Sequence, residues 1–219
     1  MVKDARMGEA EGPVRASGDA AGQILKVAAR LFAAHGYDAT SVREIVEAAG
    51  ITKPTLYYYF GSKQGLAEEL LRRPHVELVA DVRALLARET NPTRLLRDVL
   101  ERHLQFCRDE PDWARFFFSI FSSPQNVDLA ESMCDSKHEM KQVMGDCFAR
   151  LAELGLVDPG RIEGLGRMFR GLIFVSILEF LRYGKPLEPG LADDLTRDLL
   201  QGFARPGTLN GHLETRERS

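Results

Sequence analysis

Lys53, Pro54, Thr55, Tyr57 and Tyr58 crowd into the short run TKPTLYYYF, with Lys63 just beyond it. A cation, a hydroxyl and two phenols at this spacing suit contact with a polyanion. Lys and Thr reach phosphates or base edges, and Tyr donates to phosphate or packs on a thymine methyl. At helical spacing Leu56 and Phe60 turn inward, which leaves the four polar residues facing out. A plain surface helix rarely spends two tyrosines in this way. Thr40, Ser41 and Arg43 add two hydroxyls and a second cation on the segment before it.

These residues need elements to aim them. Ser41 and Glu44 are spaced as a capping box, so a helix starts at Val42. Val42, Ile45 and Ala49 share one face of it. Gly50 is its stop, where the left-handed conformation is cheap. Thr52 caps the next helix, and Pro54 sits in its first turn, where a missing N–H costs nothing. Lys63 follows Gly61 and Ser62 at the start of a further helix, whose first backbone N–H groups also favour phosphate. A helix, a glycine turn and a second helix with a polar face form a helix-turn-helix, whose second helix fits a DNA major groove.

The stretch resembles the DNA-binding domain of TetR-family (tetracycline-repressor-like) transcriptional regulators. Matching residues are Phe32, Gly36 and Tyr37, then Thr40 to Ile45, Ala49 to Ile51, Thr55 to Phe60, Ser62, Lys63 and Leu66. The likeness covers residues 21–71. It implies base-edge roles for Arg43, Thr52, Lys53 and Tyr57, with Pro54 on a thymine methyl. It implies phosphate roles for Thr40, Ser41, Thr55, Tyr58 and Lys63. Tyr59 reads as core. Gly65 departs from the pattern, which favours an acidic residue completing a cap from Ser62. Pro74 departs too, because it falls inside what should be one long helix.

Of the 219 residues, 44% are hydrophobic and 28% charged, as in an ordinary soluble globular protein. The start carries no apolar leader, and the longest apolar run, Leu172 to Leu178, is too short to span a bilayer. The expectation is a cytoplasmic protein with no membrane partner. Cys107, Cys134 and Cys147 lack metal-finger spacing and read as reduced thiols. The net charge is −3, yet residues 21–73 hold seven Lys/Arg against five Asp/Glu, a balance of +2. Residues 1–20 balance at −1 and the remainder at −4. The basic segment is the one with the helix-turn-helix pattern, which has the sign phosphate binding requires.

Periodicity predicts an all-α chain of about nine helices. A disordered arm spans 1–20, with Arg6 and Arg15 as minor-groove candidates. The first helix runs from Ala21 to His35 on the stripe Ile24, Val27, Ala28, Leu31 and Phe32. The fourth runs from Lys63 to Arg88, with a kink or break at Pro74. Further helices follow over 92–108, 111–121, 127–154, 158–183 and 189–204. The DNA-binding domain is set at 21–71, an effector-binding and dimerisation domain at 72–205, and a flexible tail at 206–219.

The 111–121 segment gathers Trp113, Phe116, Phe117, Phe118 and Phe121 in a chain that is 8% aromatic. That is core, or the wall of a mostly apolar pocket. The family likeness implies a small-molecule effector site within 63–183. Phe106, Trp113, Phe117, Phe121, His138 and Phe174 are its candidates, for an apolar or aromatic effector. The 158–183 helix is apolar almost all round from Met168 to Leu181, more than one domain can cover. Gly164, Gly171 and Ser176 there, with Leu195, Leu199 and Phe203 further on, are candidates for a homodimer interface. A two-fold pair of recognition helices reads a palindromic operator in double-stranded DNA, with half-sites about 34–36 Å apart or a multiple of it.

His103 and Cys107 stand four apart, but two ligands do not make a zinc site, so no metal and no cofactor is expected. No nucleophile motif, phosphate loop or carboxylate pair argues for an enzyme. The reading is a one-component transcriptional regulator, a repressor released by its effector. Two readings compete with it. An architectural DNA binder would show no ligand-dependent release. A helical carrier or enzyme would be indifferent to mutation at Tyr57.

Overall fold

The structure, a computed structural model, describes residues 14–122, 127–132 and 134–201. Within them lie ten α-helices: α1 Val14–His35, α2 Val42–Ala49, α3 Lys53–Phe60, α4 Lys63–Arg88, α5 Pro92–Asp109, α6 Pro111–Ser122, α7 Val127–Glu131, α8 Cys134–Glu153, α9 Ile162–Tyr183 and α10 Leu191–Gln201. Among the described residues there is no strand, as the all-α expectation requires.

The chain divides into two compact units. The first takes residues up to Arg72 together with Arg115–Ser132; the second takes Arg73–Ala114 and everything from residue 133 on. The boundary expected after residue 71 is therefore only part of the division. The first unit also takes back most of α6.

In the first unit, Ile24, Leu25, Ala28, Phe32, Ile45, Leu56, Leu66 and Leu70 are fully or almost fully buried. They come from α1 to α4 and make one small core. Phe116 of α6 completes it. Its side chain is wholly buried, and its ring lies 5.0 Å from that of Phe32. Burying one such ring contributes about 1.5–3 kcal/mol.

In the second unit α5 packs against α8, α9 and α10. Leu95, Leu96, Val99, Leu100 and Leu104 form its fully buried stripe. Phe148 of α8 meets Phe169 of α9 edge to face at 5.6 Å. Gly166 lets these helices approach, since a Cβ there would lie 3.2 Å from the Phe148 ring. Arg150 and Arg108 donate to the Leu86 and Leu187 carbonyls, fastening the last turn of α4 and the connection before α10 to α8 and α5.

Several boundaries differ from the sequence expectation. α1 begins at Val14, so residues 14–20 of the expected disordered arm are helical. The hydrophobic stripe marks only the packed part, and a nucleated helix extends at one hydrogen bond per residue. Arg6 lies outside the described residues. α4 runs unbroken through Pro74. Buried Leu70, Leu71, Val79 and Val82 flank the proline on both sides, and their packing holds the helix across the lost bond. The helix expected over 127–154 is two, because α7 ends at Glu131. The Ser132 hydroxyl donates to the Leu129 carbonyl at 2.7 Å, offering the backbone an alternative to the next turn. A 3₁₀ turn at Pro159–Arg161, capped by Asp158, precedes α9. α10 starts at Leu191, two residues later than expected. The tail at 206–219 lies outside the described residues.

Candidate nucleic-acid interface

Local chemistry builds α2 and α3 as the sequence predicts. The Ser41 hydroxyl accepts from Glu44 N at 3.2 Å, and the Glu44 carboxylate accepts from Ser41 N at 2.6 Å. Those hydrogen bonds to Ser41 hold the Glu44 carboxyl below the usual carboxylate range. Gly50 ends α2 at φ 65°, and Ile51 N closes the turn on the Val46 carbonyl at 3.0 Å. Thr52 caps α3 with Pro54 in the first turn.

α3 buries Leu56 and presents Lys53, Pro54, Tyr57 and Tyr58 to solvent. Tyr58 is 82% exposed and Tyr57 45%. Two exposed phenols on an eight-residue helix offer a partner both an apolar ring and a hydroxyl. Tyr59 is half-buried, its ring edge on to Tyr58 at 5.2 Å.

Other candidates are committed elsewhere. Thr40 is wholly buried, and its hydroxyl donates to the Gly36 carbonyl at 2.8 Å. It braces the α1–α2 connection, with its side chain turned into the core and away from solvent. The Thr52 and Thr55 hydroxyls bond each other at 2.9 Å, so Thr52 is first a cap. Arg43 pairs with Glu47 at 2.7 Å, both side chains largely exposed. Such a pair is worth little and yields readily to a phosphate or a base.

Lys63 does two things. Its Nζ stands 4.3 Å from the centroid of the Tyr37 ring and donates to the Asp38 carbonyl at 3.4 Å. It therefore steadies the loop before α2 from the first turn of α4. Partial burial lowers its pKa, against the pull of Asp38 and Glu44. The latch with Tyr37 escaped the sequence reading, because the pair is 26 positions apart with no local pattern linking them.

The same region matches the model of "Bacterial regulatory proteins, tetR family" over residues 24–70. The HTH-type transcriptional repressor KstR2 of Rhodococcus jostii is 42% identical over 189 residues, covering 84% of this chain and 91% of its own. The chain belongs to the tetR family. Against the HTH-type transcriptional activator FasR of Mycolicibacterium smegmatis it is 33% identical over 118 residues, so it spans 54% of that protein's length and matches over 52% of its own. The fold is shared with FadR of Bacillus subtilis, solved in complex with stearoyl-CoA, at a TM-score of 0.73 and 16% identity over 83% of this chain and 98% of that one.

The other candidates of this tetR-family chain fall in separate places. Phe117 and Phe121 belong to the first unit, with ring centroids 4.5 Å apart. Phe106, Trp113, His138 and Phe174 belong to the second. Phe106 is half-buried on α5. Trp113 is half-buried, and its enclosed indole N–H has no hydrogen-bond partner among the described residues. His138 is exposed and bonds Gln142 at 3.0 Å. Phe174 is 47% exposed, which places it on an open face of α9 and not in an enclosed pocket. Cys107 and Cys147 are buried free thiols, pushed up to about 12 and about 11 by burial. Neither has the thiolate character a redox sensor needs.

Among the interface candidates, Gly164 and Gly171 are exposed, with open space where a Cβ would stand. Ser176, Leu195 and Leu199 are half-buried. Phe203 lies outside the described residues. The sequence missed Met168 and Val175, 61% and 53% exposed on the same helix. Among the described residues no helix is long and apolar enough to cross a membrane.

Proposed function

We propose that this chain is a homodimeric DNA-binding transcriptional repressor that leaves a palindromic operator when a small apolar or aromatic effector binds. The exposed α3 face carries the reading: Lys53, Pro54, Tyr57 and Tyr58 stand in solvent on a helix whose opposite side is locked into a core. Lys63 and Arg43 add cations beside it. The name of the R. jostii relative, a transcriptional repressor aligned over 91% of its length, supports repression. The complex of the B. subtilis neighbour with stearoyl-CoA, whose acyl chain is apolar, supports an effector with a substantial apolar part. The exposed apolar face of α9 supports a second copy of the chain.

The test is titration of the promoter beside the coding gene with full-length protein and variants. Tyr57→Ala should cost about 1–3 kcal/mol and relax sequence preference. Lys63→Ala should weaken all sequences alike and flatten the salt dependence by about one ion. Wild-type affinity in Tyr57→Ala would remove α3 as the recognition helix.

A further inference from the structure

A cleft of about 430 Å³ opens in the second unit, between the start of α5, the end of α8 and the outer turns of α10. Arg94, Arg97 and Arg197 line it, against one carboxylate, Asp193. Leu151, Leu156 and Leu200 supply apolar wall, and Leu156 is 58% exposed. None of the sequence-derived pocket residues takes part.

Two observations set this cleft apart from an ordinary charged surface. The first is Thr196. It lines the cleft and is 1% exposed, yet its hydroxyl has no hydrogen-bond partner among the described residues. A helical threonine normally bonds the carbonyl one turn back. An enclosed hydroxyl without a partner is costly unless something fills the place. The second is the state of the arginines. Arg97 is held by Asp98 at 3.0 Å and Asp193 at 3.7 Å, and Arg197 by Asp194. These two are pre-positioned at modest cost. Arg94 has no ion pair among the described residues, and it stands in the first turn of α5, where the helix end also favours an anion.

We propose that this cleft binds a small amphipathic anion, a carboxylate or phosphate monoester on a short apolar chain. The head group sits between Arg94 and Arg97 and accepts the Thr196 hydroxyl, and the chain lies on Leu151, Leu156 and Leu200. The site goes beyond the regulator reading and does not depend on it.

Calorimetric titration of full-length protein tests this with four probes: hexanoate, hexyl phosphate, hexanol and inorganic phosphate. One of the two amphiphilic anions should bind, and which of them does so identifies the head group. Hexanol and inorganic phosphate should each be at least about tenfold weaker, lacking one half of the recognition. Arg94→Gln should weaken the bound probe about tenfold. Thr196→Val should weaken it too, while raising the melting temperature of the ligand-free protein, because an unpaired buried hydroxyl is removed. A hydroxyl with a structural role would lower that temperature instead and overturn the proposal. Hexanol binding as well as the anions, no probe binding, or wild-type affinity in both variants would also overturn it.

Discussion

A Cβ on residue 65 would stand 2.2 Å from the carbonyl oxygen of Phe60. That approach explains why Gly65 departs from the family pattern. The cap itself survives, since Gly65 N donates to the Ser62 hydroxyl at 2.9 Å. Gly65→Glu, which completes a capping box on paper, should destabilise by about 1–3 kcal/mol through overpacking. A thermal melt reads this, and a rise in melting temperature would show that the α3–α4 turn relaxes freely. His103 makes a second prediction. Its ring is largely but not wholly buried, with Nδ1 against the Val99 carbonyl at 2.7 Å. Burial lowers its pKa to about 4 from 6.5, with His75 and Arg102 adding to that and the Val99 bond opposing it. The unfolded chain then takes up the proton first as pH falls. Stability from this group is intact above about pH 6.5, declines towards about pH 4 and levels below, for a loss of at most about 3 kcal/mol. His103→Gln should flatten the slope of denaturation midpoint against pH in that window. The sequence placed His103 only as half of a rejected metal pair, because enclosure by distant residues leaves no local trace. The caps, by contrast, were legible because Ser41, Glu44, Gly50 and Thr52 act on neighbours within a few positions.

Among the elements, α6 carries the largest difference between expectation and structure. Its aromatic run announced importance but not direction. Phe116, Phe117 and Phe118 are consecutive, so they point three ways, and periodicity alone cannot say which is core. The structure assigns Phe116 to the core beside Phe32, while Phe117 stays half-buried against Phe121. In the proposed mechanism, a ligand that shifts α6 would act on the first unit through Phe116, as well as along the continuous α4. Phe117→Ala should keep operator affinity and lose effector response. Pro74→Ala should alter the coupling more than either binding constant, since it restores a backbone donor in α4 near the division after Arg72. Each tenfold change in coupling corresponds to about 1.4 kcal/mol. Operator titration with and without effector measures it, and unchanged release in both variants would remove α6 and Pro74 from the mechanism.

For the whole molecule, the exposed stripe of α9 is the face on which the proposed dimer would form. Gly164, Met168, Gly171 and Val175 recur at intervals of four and three, one face of a helix. The glycines were legible as small residues. Met168 and Val175 were not, because the surrounding sequence is apolar on every side. Met168→Glu with Val175→Glu should yield monomers with much weaker operator affinity. Sedimentation of dilute wild-type protein tests the premise, and a monomer there would end it. The first unit has one more property at this scale. It is built from two stretches of chain separated by 42 residues of the second. During synthesis, the three N-terminal helices emerge long before Phe116 exists. Phe32 must wait with one side uncovered while α5 is still being made. The part of the protein that is first off the ribosome thus stays unfinished until the 42 residues of the second unit that interrupt it have been translated, and α3 gains a settled foundation only then.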